Sequence, residues 1–204
     1  DLEPSRLEAA KTAALAFAQN QPASVLIGIV AFSDNGFVVQ SPTTDQELVL
    51  ATINRLTLQR GTSVANVILA SLNTIAASDA EPVPRLYTDL APAQTPTPTP
   101  VPPGTTTPAV IVLLTDGENN ESPDPLVAAQ TAADRGGRIH TVGIGSPAGT
   151  TLHVNGFTVH TQLDESILKQ ISAITDGAYF SAGSADELLT IYENLDPQLV
   201  VKPE

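Results

Sequence analysis

Asp116 is the side chain in this sequence whose setting most suggests chemistry. It follows an unbroken apolar run, Val110, Ile111, Val112, Leu113 and Leu114, with only Thr115 between. Such a run reads as a strand buried on both faces, as in a parallel sheet covered by helices. The switch to Thr115-Asp116-Gly117 puts a carboxylate at the strand's carboxyl end, where open α/β sheets place their ligands. With Glu118 and Glu121 following, that carboxylate attracts a hard divalent cation such as Mg2+. The plain alternative is a strand-ending turn with solvated acids.

The other candidates are weaker. Gly143-Ile144-Gly145 with Gly149 lacks the G-x-G-x-x-G spacing of a dinucleotide loop. His153 and His160 share a face of a hairpin, since a turn at Asn155-Gly156 pairs 153 with 158, but no third metal ligand accompanies them. His140 lies within a strand and reads as a core or helix-facing residue. No G-x-S-x-G elbow or Ser-His-Asp order supports nucleophilic hydrolysis.

Composition narrows the field. The 204 residues make one large domain, spanning 1–204, with 42% hydrophobic residues to fill a core. A net charge of −13 with nine Lys and Arg argues against nucleic acid as a partner, because a phosphate backbone needs a basic patch. Cys is absent, so disulfides and thiolate metal sites are excluded. No apolar run is long enough to span a bilayer and no targeting signal is visible, so membrane attachment falls to flanking segments.

The elements that must position Asp116 alternate. Ser5-Arg6-Leu7-Glu8 is a capping box opening a helix over Ser5–Gln19. Val25–Phe32 is a second buried strand, and the Asn35-Gly36 turn returns Phe37–Gln40 as an antiparallel edge strand. Helices follow at Asp45–Leu56 and Val64–Ala77, separated by Gln59–Ser63. Nine of the seventeen prolines fall in residues 81–108, interleaved with Thr. That stretch is expected to be an extended or disordered loop insertion that serves as a spacer. After the Asp116 strand come a helix at Pro123–Asp134, a strand at Arg138–Gly145, the hairpin Thr151–His160 and a helix at Asp164–Thr175. A strand at Ala178–Ala182 and a helix at Ala185–Leu195 close the chain.

This order implies an α/β fold, a doubly wound, mostly parallel sheet with helices on both faces and one antiparallel edge strand. The β-to-α turns then collect at one rim: residues 33–36, 115–122, 145–163 and 181–184, joined by the helix–helix break at Gly61-Thr62. The proline-rich insertion precedes a strand and falls at the far end.

Ser5–Lys11 (SRLEAAK), Val30–Asp34 (VAFSD), Arg60–Ser63 (RGTS), Leu113–Gly117 (LLTDG), His140–Gly145 (HTVGIG) and Thr175–Phe180 (TDGAYF) together resemble a bacterial von Willebrand factor type A domain, which is Rossmann-like in architecture. The resemblance covers nearly the whole chain outside the insertion. It implies a metal-ion-dependent adhesion site (MIDAS) of three parts: Asp-x-Ser-x-Ser after the first strand, a Thr between two helices, and an Asp ending the central strand. Thr62 matches the second part and Asp116 the third. The first part, and the first strand that carries it, have no counterpart, so the resemblance implies an N-terminally truncated domain with a slot in its sheet between Val25–Phe32 and Ala109–Leu114.

The implied function is non-enzymatic: a partner protein's Glu or Asp completes the coordination of Mg2+, or of Mn2+ or Ca2+, in an adhesion or scaffold module of the cell envelope or the extracellular space. With only Thr62 and Asp116, metal binding is expected to be weak or absent. Asp34, Glu118 and Glu121 are expected to tune the field around the ion or to be plain surface acids. The alternative is a Mg2+-dependent phosphohydrolase of a doubly wound fold using Asp116. It needs a second strand-end Asp, for which Asp34 is available, and a Lys, for which none is well placed.

Overall fold

The structure is a computed structural model, and it describes residues 6–32, 36–57, 63–79, 109–117, 119, 122–144, 149–154, 157–161, 163–182, 187 and 190–191. In chain order the elements are α1 (Arg6–Asn20), β1 (Ile27–Phe32), β2 (Gly36–Thr43), α2 (Gln46–Arg55), α3 (Val64–Asp79), β3 (Val110–Thr115), α4 (Pro125–Asp134), β4 (Arg138–Ile144), β5 (Thr150–Val154), β6 (Phe157–Thr161), α5 (Glu165–Ile174) and β7 (Tyr179–Ala182). The expected insertion at 81–108 and the turn at 33–35 lie outside the described residues. Of the expected closing helix only Glu187, Thr190 and Ile191 are described, and all three are helical.

β3, β4 and β7 form a parallel sheet in that order. Its central strand, β4, is buried at every position from Ile139 to Ile144, as an apolar strand covered on both faces must be. Alternation sorts the side chains. Odd-numbered Ile111, Leu113 and Ile139 pack with α3, α4 and α5. Even-numbered Val112, Leu114, Val142 and Ile144 pack with Ala10, Ala13 and Phe17 of α1 and with Ile191. The architecture is therefore α/β with helices on both faces, as expected.

β1 and β2 make a separate antiparallel pair. Ile27 and Ile29 pack with α1 and α2, while Val30 packs with the α3 cluster. The same helices, α1 and α3, thus cover both sheets. Among the described residues no ladder joins β1 to β3.

β2 runs three residues beyond the expected Gln40. Two register shifts bulge it, and it passes through Pro42, whose ring sits 3.1 Å from where a Cβ on Gly28 would lie. Proline within a run argues against a central strand but is accepted on an edge or at a bulge, and both features blunt an exposed edge.

Local capping sets the helix starts. Asp45, Asp124 and Asp164 cap α2, α4 and α5 by accepting from the amides of Leu48 (3.0 Å), Leu126 (2.7 Å) and Ser166 (3.1 Å). Asp124 is why α4 starts at Pro125, in the first helical position, rather than at Pro123. A buried polar seam ties α5 to β4. The Thr141 and Ser172 hydroxyls lie 2.6 Å apart, Thr141 also donates to the Leu168 carbonyl at 3.0 Å, and Thr175 Oγ1 accepts from the Ile139 amide at 3.2 Å.

Candidate functional site at the carboxyl rim

Because β3, β4 and β7 are parallel and in register, their carboxyl ends share one rim: Thr115 lies beside Gly143, and Ile144 beside Ala182. Asp116 follows Thr115 directly and is half-buried. Thr115 is buried, and its Oγ1 accepts from the Gly117 amide at 3.1 Å. Gly117 has φ +81°, and a Cβ there would lie 2.6 Å from the Asp164 carbonyl oxygen. Only glycine meets both conditions without strain. The Asp116 carbonyl in turn accepts from the Asp164 amide at 2.9 Å. The strand end is therefore seated on the start of α5.

The start of α3 comes to the same loop. Asn119 Oδ1 accepts from the Val64 amide at 3.0 Å, across 55 positions of sequence. Ser63 is fully buried; its Oγ accepts from the Asn66 amide at 3.4 Å and its carbonyl from the Val67 amide at 3.3 Å, the pattern of a helix cap. Thr62, together with Asp34, Glu118 and Glu121, lies outside the described residues. Of the two expected ligands, the structure thus places Asp116 at the rim and places Ser63 and Val64, which follow Thr62, against the loop that Asp116 begins.

Sequence reasoning missed Asn119 and Asp164. Each reads as an ordinary loop or cap residue, and nothing in linear spacing ties 119 to 64 or 164 to 116. The Asp116 carboxylate and the buried Thr115 and Ser63 hydroxyls are hard oxygen donors in type. Among the described residues no three His, Asp or Glu side chains gather to hold a metal.

His140 belongs to the core, as expected. It is 1% exposed, its Nδ1 accepts from the Ala178 amide at 3.0 Å, and its ring centroid lies 6.4 Å from that of Phe180. No partner for Nε2 is present among the described residues. Burial, and then the Arg138 charge, hold its pKa below the ordinary 6.5. The folded protein therefore keeps His140 neutral where the unfolded chain already takes up a proton. Its contribution to stability is full above about pH 6.5 and falls as pH drops towards the folded value. His140→Asn, whose Oδ1 can still accept from Ala178, should show a smaller drop in melting temperature between pH 7.5 and pH 5 than the parent. An equal drop in both proteins would contradict this.

The hairpin has the expected register, His153 opposite Thr158 and Thr151 opposite His160, so the two histidine positions fall on one face. Both described lysines are paired with a carboxylate one helical turn away. Lys11 meets Glu8 at 3.2 Å on α1, and Lys169 meets Glu165 at 2.6 Å on α5, with its Nζ 5.0 Å from the Tyr179 ring centroid. No described helix is long and apolar enough to cross a membrane.

Comparison with known proteins agrees with this arrangement. A UPF0353 protein of Mycobacterium sp. (strain KMS) is 30% identical over 205 residues, covering 98% of this chain and 56% of that protein. The chain thus spans a little over half the length of that relative. An aerotolerance-related membrane protein from Bacteroides fragilis has a similar fold, with a TM-score of 0.72 at 20% identity, covering 97% of this chain and 90% of that one. Proximal thread matrix protein 1 from the mussel byssus, solved with a zinc-occupied MIDAS motif, is similar at a TM-score of 0.58 and 15% identity, over 94% of this chain and 41% of that one. A model described as the von Willebrand factor type A domain matches residues 1–118. That stretch includes α1, the β1–β2 pair, α3 and the Asp116 strand end, and on it the chain belongs to the von Willebrand factor type A family.

Proposed function

We propose that this chain is a metal-dependent protein-binding module in which Asp116 and Thr62 hold Mg2+, or Mn2+ or Ca2+, and an acidic residue of a partner protein completes the coordination. The observation that carries the reading is the double fastening of the 116–119 loop. Its first carbonyl is held by the Asp164 amide and its Asn119 side chain by Val64, the second residue after Thr62. That ties the start of α3, which follows Thr62 in sequence, to the loop that Asp116 begins. A carboxylate and a hydroxyl are hard oxygen donors, and a cation held by few protein groups keeps positions open for water or a partner's carboxylate. The zinc-occupied motif of the mussel protein supports the reading by analogy of fold. In this reading residues 1–204 form one domain, the 81–108 stretch is a spacer loop away from the site, and the module works in the cell envelope or outside the cell. Likeness to a membrane protein of Bacteroides supports that placement.

The test uses the chain and a version carrying, ahead of residue 1, an added apolar strand ending in Asp-x-Ser-x-Ser. Capture of Glu- or Asp-bearing peptides by the extended version should require Mg2+, disappear in EDTA and return when Mg2+ is restored. Capture indifferent to EDTA would sink the reading. Turnover of a phosphate ester that vanishes in Asp116→Ala would replace it with the phosphohydrolase alternative.

A further inference from the structure

We infer that Asn119 is the positioning residue of this site, its carboxamide setting the distance between the start of α3 and the strand end that carries Asp116. The inference rests on the metal-binding reading above and names the part of the rim that makes it geometrically possible.

The first amides of a helix have no acceptor within the helix. α3 opens with Val64, and its cap is local only in part, since the Asn66 amide reaches Ser63 Oγ at a long 3.4 Å. The Val64 amide has no such local partner among the hydrogen bonds of the cap. Asn119 Oδ1 supplies it at 3.0 Å. Ser63, Val64 and Ala65 are all fully buried, so water is poorly placed to replace a lost acceptor, and a buried amide without one is costly.

The loop's two fastenings differ in kind. At Asp116 the bond to Asp164 runs between main-chain groups, so any residue at 116 can make it. At residue 119 the acceptor is a side chain, so truncating it removes this contact with the start of α3. Among the described residues the Asn119 contact is therefore a side-chain-dependent tie between the start of α3 and the loop that Asp116 begins. Groups that orient metal ligands from behind commonly account for 10–100-fold in metal affinity. Asp at this position keeps an acceptor oxygen and adds a charge that suits a helix N-terminus, whereas Ala keeps neither.

The test compares wild type, Asn119→Ala and Asn119→Asp, in the chain as it stands for amide exchange and in the version with the added strand for metal binding. Without metal, exchange of the Val64 amide should accelerate about tenfold or more in Asn119→Ala, in keeping with the loss of its acceptor. Exchange over Ile68–Leu72 should stay unchanged, and Asn119→Asp should restore Val64 to the wild-type rate. In a Mn2+ titration followed by water-proton relaxation, Asn119→Ala should bind about tenfold more weakly and Asn119→Asp should recover. Unchanged Val64 exchange in Asn119→Ala overturns the inference, whether or not metal binds. Wild-type Mn2+ affinity in Asn119→Ala, despite faster Val64 exchange, also overturns it by showing a tie with no bearing on the site. If wild type binds no Mn2+ while Val64 behaves as expected, the metal reading fails and the spacing role of Asn119 stands.

Discussion

Gly177→Ala is expected to cost the domain about 3 kcal/mol or more, a large fraction of the 5–15 kcal/mol that separates folded from unfolded states in single domains. Gly177 lies in the turn between α5 and β7, and its amide donates to the Ser172 carbonyl at 2.8 Å. A Cβ there would overlap the Ile139 carbonyl and approach the His140 nitrogen at 3.3 Å. The obstacle is main chain, not the flexible end of a side chain, so no rotamer change relieves it. Nor can that main chain give way cheaply. Ile139 belongs to β4, which is laddered to β3 and β7, and its amide is hydrogen-bonded to Thr175 Oγ1 in the turn that holds Gly177. Ordinary overpacking costs about 1–3 kcal/mol, and a collision with the backbone of a central strand belongs at or above the top of that range. Urea unfolding followed by circular dichroism reads the effect. A loss below about 1 kcal/mol would mean that the turn opens away from β4 more easily than its hydrogen bonds suggest.

This part of the fold was the most legible in the sequence, and the reason is physical. β3 and β4 are apolar runs that meet helices on both faces, so composition alone marks them, and strict alternation then assigns Ile111 and Leu113 to one layer and Val112, Leu114 and His140 to the other. Helix starts were legible where a carboxylate caps them, as at Asp45 and Asp164. The end of β2 was not. Its bulges break the two-residue period, and Pro42 argues against a strand unless the strand is known to lie at an edge, which depends on tertiary neighbours. At the site, Asp116 could be read because the apolar run stops so abruptly before it. The loop's fastenings could not be read, because Asn119 and Val64 are brought together by the packing of α3 and α4 against one sheet face.

Asp116→Asn is the substitution expected to do most to function while doing least to the fold. It keeps the side chain's size and shape and removes its charge. The main-chain bond from the Asp164 amide to the residue-116 carbonyl is available to any residue, as is the Gly117 amide's bond to Thr115 Oγ1, so these two fastenings of the loop are kept. Binding of a hard divalent cation depends strongly on carboxylate charge, because a neutral amide oxygen is a much weaker donor. Losses in the shell behind a metal typically cost 10–100-fold in affinity, so neutralising a direct ligand is expected to cost at least about 100-fold. Mn2+ titration of the version with the added strand should show that loss, with EDTA-sensitive peptide capture falling in parallel and the metal-free melting temperature nearly unchanged. Asp116→Glu sharpens the test by keeping the charge and lengthening the arm by one methylene. If Glu binds like Asp while Asn does not, the rim attracts the cation by charge alone. If both fail, the carboxylate is held at coordination distance, and the fastening of its loop to α3 and α5 is what holds it there. Wild-type affinity in Asp116→Asn would leave the cation without its acidic ligand and would require a different site.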